Sequence, residues 1–61
     1  MRYGKIIEIT NEYGANDSDV IVYTKTEDNA IIGLYISKCY GFIPKIGYKV
    51  KITNGDMLIQ V

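Results

Sequence analysis

Sixty-one residues, seven acids against seven lysines and arginines, and no histidine make a chain with zero formal net charge. A single domain of this length buries only roughly 60% of its unfolded surface, which leaves no room for a deep self-walled pocket and argues against an elaborate enzyme. At 48% apolar and 23% charged the composition is that of an ordinary globular protein, neither disordered nor carrying an apolar run near the ~20 residues that span a bilayer.

The opening MRYGKIIEIT carries Glu8 and shows no cleavage-site signature, so a signal peptide is not expected. Together with the lack of an apolar span, this predicts a cytoplasmic protein without a membrane partner. One cysteine, Cys39, cannot form an internal disulfide, and a small domain without one recovers stability through regular β packing or by oligomerising; a homodimer is open on this reading.

In chain order, Arg2 to Thr10 reads as a strand in which Ile7 and Ile9 share one face while Ile6 sits with Glu8 and Thr10. Gly4 marks a bulge or a close backbone approach. Asn11 to Asp19, NEYGANDSD, is a loop of turn formers and acids. Asp19 to Thr24 is a strand apolar on both faces, and Lys25 to Asn29 turns it into the next. There Ala30, Ile32, Leu34 and Ile36 line one face, Ile31, Gly33, Tyr35 and Ser37 the other, and Gly33 suggests a bend at a barrel corner. Lys38 to Lys45 is irregular, with Pro44 unable to donate a ladder hydrogen bond; it reads as a loop, one helical turn or an edge. Tyr48, Val50 and Ile52 then alternate with Lys49, Lys51 and Thr53, Asn54-Gly55 predicts a type I′ hairpin, and Met57, Ile59 and Val61 share a face on the return. Five strands with no helix to cover them must curl so that one apolar face covers itself. The predicted fold is all-β: a single five-stranded small barrel over residues 1–61, of OB type or alternatively SH3-like.

Few groups here carry chemistry. Without histidine the commonest general base near neutrality is missing, and a lone cysteine reads as a small buried hydrophobe rather than a nucleophile. Asn16-Asp17-Ser18-Asp19 alternates oxygen ligands but lacks the Gly and the closing acid of a calcium loop. The six glycines are scattered and form no phosphate cradle. No enzyme, cofactor or metal is predicted.

One stretch stands apart. Tyr35 to Lys51 holds four of the seven cationic side chains and three of the six tyrosines, with no acid between Asp28 and Asp56. Residues 1–30 carry a charge of −3 and residues 31–61 a charge of +3, a split that hints at an anionic partner for the basic half. Rings that stack on bases and ammonium groups that track phosphates make a single-stranded nucleic-acid surface. Tyr35, Tyr40 and Phe42 are its candidate stacking rings, and Lys38, Lys45, Lys49 and Lys51 its candidate phosphate contacts. Weighed against this, Tyr48 falls on the apolar face of its strand and Phe42 is a natural core plug.

Lys38-Cys39-Tyr40-Gly41-Phe42-Ile43 resembles the Lys-Gly-Phe-Gly-Phe-Ile motif of cold-shock domains, five-stranded OB barrels that bind single-stranded DNA or RNA. Gly4-Lys5-Ile6 resembles that family's first strand, and Asp19-Val20-Ile21-Val22-Tyr23 its Asp-Val-Phe-Val-His motif. Pro44 to Val50 resembles the Gly-x-x-Val strand entry of many small OB barrels. The motif order is reversed here, and Glu8, Ile9 and Ile21 stand where the family has rings. The resemblance implies an OB-type barrel with Lys38, Tyr40, Phe42 and Tyr23 at its ligand surface. The rival function is a protein-interaction module, such as a phage or mobile-element inhibitor or adaptor, acting through a strand edge or a tyrosine-rich face, since tyrosine brings apolar area and a polar tip together.

Overall fold

The structure, a computed structural model, describes residues 2–11 and 20–61. The chain is all-β: β1 (Arg2–Asn11), β2 (Val20–Thr26), β3 (Ile31–Tyr35), β4 (Cys39–Tyr40), β5 (Lys49–Ile52) and β6 (Leu58–Gln60), with one turn of 3-10 helix at Ile36–Lys38. They form one sheet in the order β3-β2-β1-β5-β6-β4. Every pairing is antiparallel except β4 with β6. Most of the predicted acidic loop and its calcium-like segment, residues 12–19, lie outside the described residues; Asn11 belongs to β1.

Two parts of the barrel expectation are corrected. There are six strands: the predicted third strand ends at Tyr35 in a 3-10 turn over Ile36–Lys38, and the stretch from Lys38 predicted as a loop, one helical turn or an edge contributes a short sixth strand, β4, on the far side of the sheet. The sheet is not closed by strand pairing either, since β3 and β4 stand at its two ends. It is nonetheless strongly curved. A flat sheet of six strands at ~4.8 Å spacing would hold its outermost strands about 24 Å apart. The four chain steps from Tyr35 to Cys39 span at most ~14 Å.

The concave side holds a small core. Ile6, Val22, Val50, Ile52 and Leu58 are buried, and Ile9, Ile32, Leu34, Ile36, Cys39, Phe42 and Tyr48 pack against them half-buried. The alternation read in β3 and β5 holds: Ile32 and Leu34 face in, as do Val50 and Ile52. That of β1 does not. The register with β2 slips between Ile6 and Glu8, so Ile7 is the extra residue of a bulge; Ile6 and Ile9 both turn inward and Ile7 is left exposed. Past the bulge β1 stays with β2 alone, while Arg2 to Lys5 also pair with β5. Gly4 is the close approach rather than the bulge: a Cβ there would stand 2.7 Å from the Lys25 carbonyl oxygen. In β6 the buried residue is Leu58, and Val61 is 70% exposed, so the predicted Met57, Ile59, Val61 face is not the core face.

The C-terminal hairpin lies where predicted but is not type I′. Asp56 N–H donates to the Thr53 carbonyl at 3.0 Å and Thr53 N–H to the Met57 carbonyl at 2.9 Å. The left-handed residue is Asp56, at φ 60°, and neither Asn54 nor Gly55 has positive φ. This is the three-residue loop built of a type I turn followed by a left-handed residue. The β2–β3 hairpin repeats it. Asn29 N–H donates to Thr26 at 3.0 Å, Thr26 N–H to Ala30 at 2.8 Å, and Asn29 takes φ 66°. Asn and Asp tolerate this conformation without matching glycine. Asp56→Gly is therefore expected to leave the fold intact and raise stability by about 0.5 kcal/mol, read as a higher urea midpoint at unchanged slope. Asp56→Val should lower it.

Candidate nucleic-acid interface

Residues directly opposite on neighbouring strands share a face, so the registers map the convex side of the sheet. Lys25 on β2 stands opposite Lys5 on β1, and Lys5 stands opposite Lys49 on β5. All three side chains are exposed. Ile31 extends this row on β3, and Val61 ends it, its N–H donating to the Lys49 carbonyl at 3.0 Å. The next row runs from Tyr3 to Lys51, from Lys51 to Ile59 and from Ile59 to Tyr40. Tyr3 and Tyr40 are 47% and 69% exposed.

Toward the other end of the same side, Tyr23 on β2 faces Gly33 on β3, and Ile21 faces Tyr35. A Cβ on Gly33 would lie 2.8 Å from Tyr23 Cε1: the ring lies across the glycine, which leaves it room. Gly33 thus seats an aromatic rather than bending a corner. Tyr35 beside it is 55% exposed. Glu8, opposite Tyr23, places an acid on this surface.

The sequence-predicted residues divide accordingly. Tyr23, Tyr35, Tyr40, Lys49 and Lys51 fall on the convex side. Phe42 does not: Gly41 takes φ 77° and breaks the alternation after Tyr40. Phe42 turns against the core, its ring centroid 6.4 Å from that of Tyr48. Lys38 sits half-exposed on the 3-10 turn and Lys45 on the loop before β5, outside both rows. Sequence reasoning missed Lys5, Lys25 and Tyr3. They lie in the acidic half of the chain, and only the β1–β2 and β1–β5 pairings bring them beside Lys49 and Lys51.

The remaining polar groups are quiet. Burial raises the Cys39 thiol above its ordinary value, which keeps it protonated. The Thr26 hydroxyl donates to the Asp28 carboxylate and, with weaker help from Arg2, holds that group below its usual 3.8. Since the folded value is the lower, this contact supports the turn above pH ~4 and is lost as the pH falls through the folded value. Among the described residues there is no group of side chains that could hold a metal, and no helix long and apolar enough to cross a membrane. Compared with known protein families, with curated proteins and with solved structures, the chain matches none, so the likeness to cold-shock domains rests on the motif residues alone.

Proposed function

We propose that the protein is a non-enzymatic module that binds single-stranded nucleic acid on the convex face of its sheet. The observation that carries this reading is the pair of cross-strand rows that hold Lys25, Lys5, Lys49 and Lys51 with Tyr3 and Tyr40, with Tyr23 and Tyr35 farther along the same face. Ammonium groups supply salt-sensitive phosphate contacts, and exposed rings supply sequence-tolerant stacking. The finer reading of the fold supports it as well. With β3 and β4 taken as one strand interrupted by the 3-10 turn, five strands remain, in the manner of an OB barrel. Such barrels are partly open and bind oligonucleotides on the face of their second and third strands, where Tyr23 and Tyr35 lie here.

Fluorescence anisotropy of labelled oligo-dT and oligo-rU tests the proposal. If four lysines each neutralise a phosphate, log affinity should fall with log salt at a slope of about −3, from ~0.7 per contact on single strands. Lys5→Gln and Lys25→Gln should weaken binding as much as Lys49→Gln does, and Lys45→Gln should leave it unchanged. Tyr23→Ala should cost ~1–3 kcal/mol of binding. Absence of binding at low salt, or binding indifferent to salt, would overturn the reading.

A second reading has its own observation. Ile43 and Ile46, in the loop after β4, are 78% and 66% exposed, which is apolar surface suited to a protein partner. Such a partner, captured in a pull-down, would be lost on Ile43→Ser/Ile46→Ser and would tolerate salt.

A further inference from the structure

Three lysines directly opposite one another on adjacent strands oppose folding, because like charges in this position repel. Lys25, Lys5 and Lys49 do this within about 10 Å, two strand spacings of ~4.8 Å. No acid stands between them in the row. Where a chain breaks a local rule in this way, the position is expected to be functional. The same three side chains, with Tyr3 and Val61, line an open groove of about 330 Å³. Glu27 is the one acidic side chain of its lining, placed beside Tyr3 by its N–H donating to the Tyr3 carbonyl at 3.2 Å.

A phosphodiester strand presents a single charge at each linkage, which one lysine at a time can meet. Three lysines aligned by register along one groove match a denser anion, one with several phosphates in direct succession. Tyr3 stands one row from Lys5 on the same strand and is exposed beside the groove, within reach of a base attached to such a group. We infer that the Lys25–Lys5–Lys49 groove is a subsite for contiguous phosphates, such as the 5′-triphosphate end of a nucleic-acid strand, with the terminal base on Tyr3. This rests on the proposed nucleic-acid reading of the convex face and adds to it a preference for a strand end. The same chemistry is offered by a free nucleoside triphosphate or by inorganic oligophosphate, and the test separates these sources.

The experiment measures one 3′-labelled oligo-rU in three forms, with a 5′-triphosphate, a 5′-monophosphate and a 5′-hydroxyl. Inorganic tripolyphosphate and ATP are titrated separately by calorimetry. The triphosphate form should bind about tenfold more tightly than the hydroxyl form, as expected for several added charge-assisted contacts. Tripolyphosphate should bind alone and compete. Lys5→Gln should bring the triphosphate-to-hydroxyl ratio near one while raising the melting temperature, because it relieves the repulsion; a merely misfolded variant would lower both. Glu27→Gln should increase the ratio. A preference of ATP over tripolyphosphate that disappears in Tyr3→Ala would assign the ring to the base.

Equal binding of the three oligonucleotides, with no uptake of tripolyphosphate, overturns the inference and leaves the nucleic-acid reading standing. Uptake of tripolyphosphate or ATP without binding of any oligonucleotide upholds the subsite and overturns that reading. No binding of any probe overturns both.

Discussion

Leu58→Ala is expected to cost between ~2 and ~5 kcal/mol, the range for removing a buried leucine and leaving its cavity. Leu58 is fully buried and stands between Ile52 on β5 and Cys39 on β4, so the space it leaves lies where three strands meet. For 61 residues the whole stability is roughly 3–9 kcal/mol, and the loss takes a large share of it. Urea denaturation should show a lower midpoint with an unchanged slope. Ile59→Ala and Val61→Ala are the informative controls. Moving the register by one residue transfers every side chain of β6 to the other face. If Ile59→Ala were the costlier substitution, the strand would be inserted on the alternation read from Met57, Ile59 and Val61, and the placement of Leu58 would be wrong.

Gly4→Ala is expected to destabilise by ~2–3 kcal/mol, near the upper end for forcing an atom into filled space. The added methyl would stand 2.7 Å from the Lys25 carbonyl oxygen and 2.7 Å from Thr24 Cγ2. A side chain could swing aside, but a backbone oxygen in a paired strand has nowhere to go. Gly4 is itself held on both sides, by Thr26 and by Val50. The melting temperature should fall by 4–8 °C for each kcal/mol. Thr24→Ala in the same chain should restore only part of the loss, since the oxygen remains. Gly55→Ala makes the opposite case. Nothing lies within 4 Å of its position and its φ is not positive, so the substitution should be neutral or stabilise slightly by restricting the unfolded chain. A harmless Gly4→Ala would mean that β1 and β2 do not approach as closely as described.

These two cases show what can be read from a sequence and what cannot. The alternation of β3 and β5 is local and legible, because Ile32, Leu34, Val50 and Ile52 recur at a period of two between polar neighbours. The position of the last hairpin is legible for the same reason. Its turn type is not: Asn54-Gly55 is compatible with two loops, and the choice fell to Asp56, whose side chain gave no signal. The bulge at Ile7 left no mark either, since Ile6 and Ile7 are chemically alike and only the pairing of Ile6 with Thr24 and of Glu8 with Tyr23 tells them apart. The candidate surface was half legible. Lys49, Lys51, Tyr35 and Tyr40 lie in one conspicuous stretch. Lys5 and Lys25 are lone cations among acids until the sheet aligns them, and Phe42 was drawn inward by a backbone reversal at Gly41.

The curvature imposed by the short link between β3 and β4 has a consequence for the order in which the protein assembles. The β2–β3 and β5–β6 hairpins close over turns of a few residues and can form early. Docking β1 against β5 joins Lys5 to Lys49, and the parallel pairing of β4 with β6 joins Cys39 to Leu58. Both enclose long stretches of chain, and such closures are made against chain entropy before any contact compensates. The β1–β5 closure encloses the longer stretch of the two, so the meeting of the halves along β1 and β5 is expected last, an order that pulsed hydrogen exchange would check. That same event brings Lys5 and Lys49 side by side, so a polyanion held between the halves would favour the step that completes the fold.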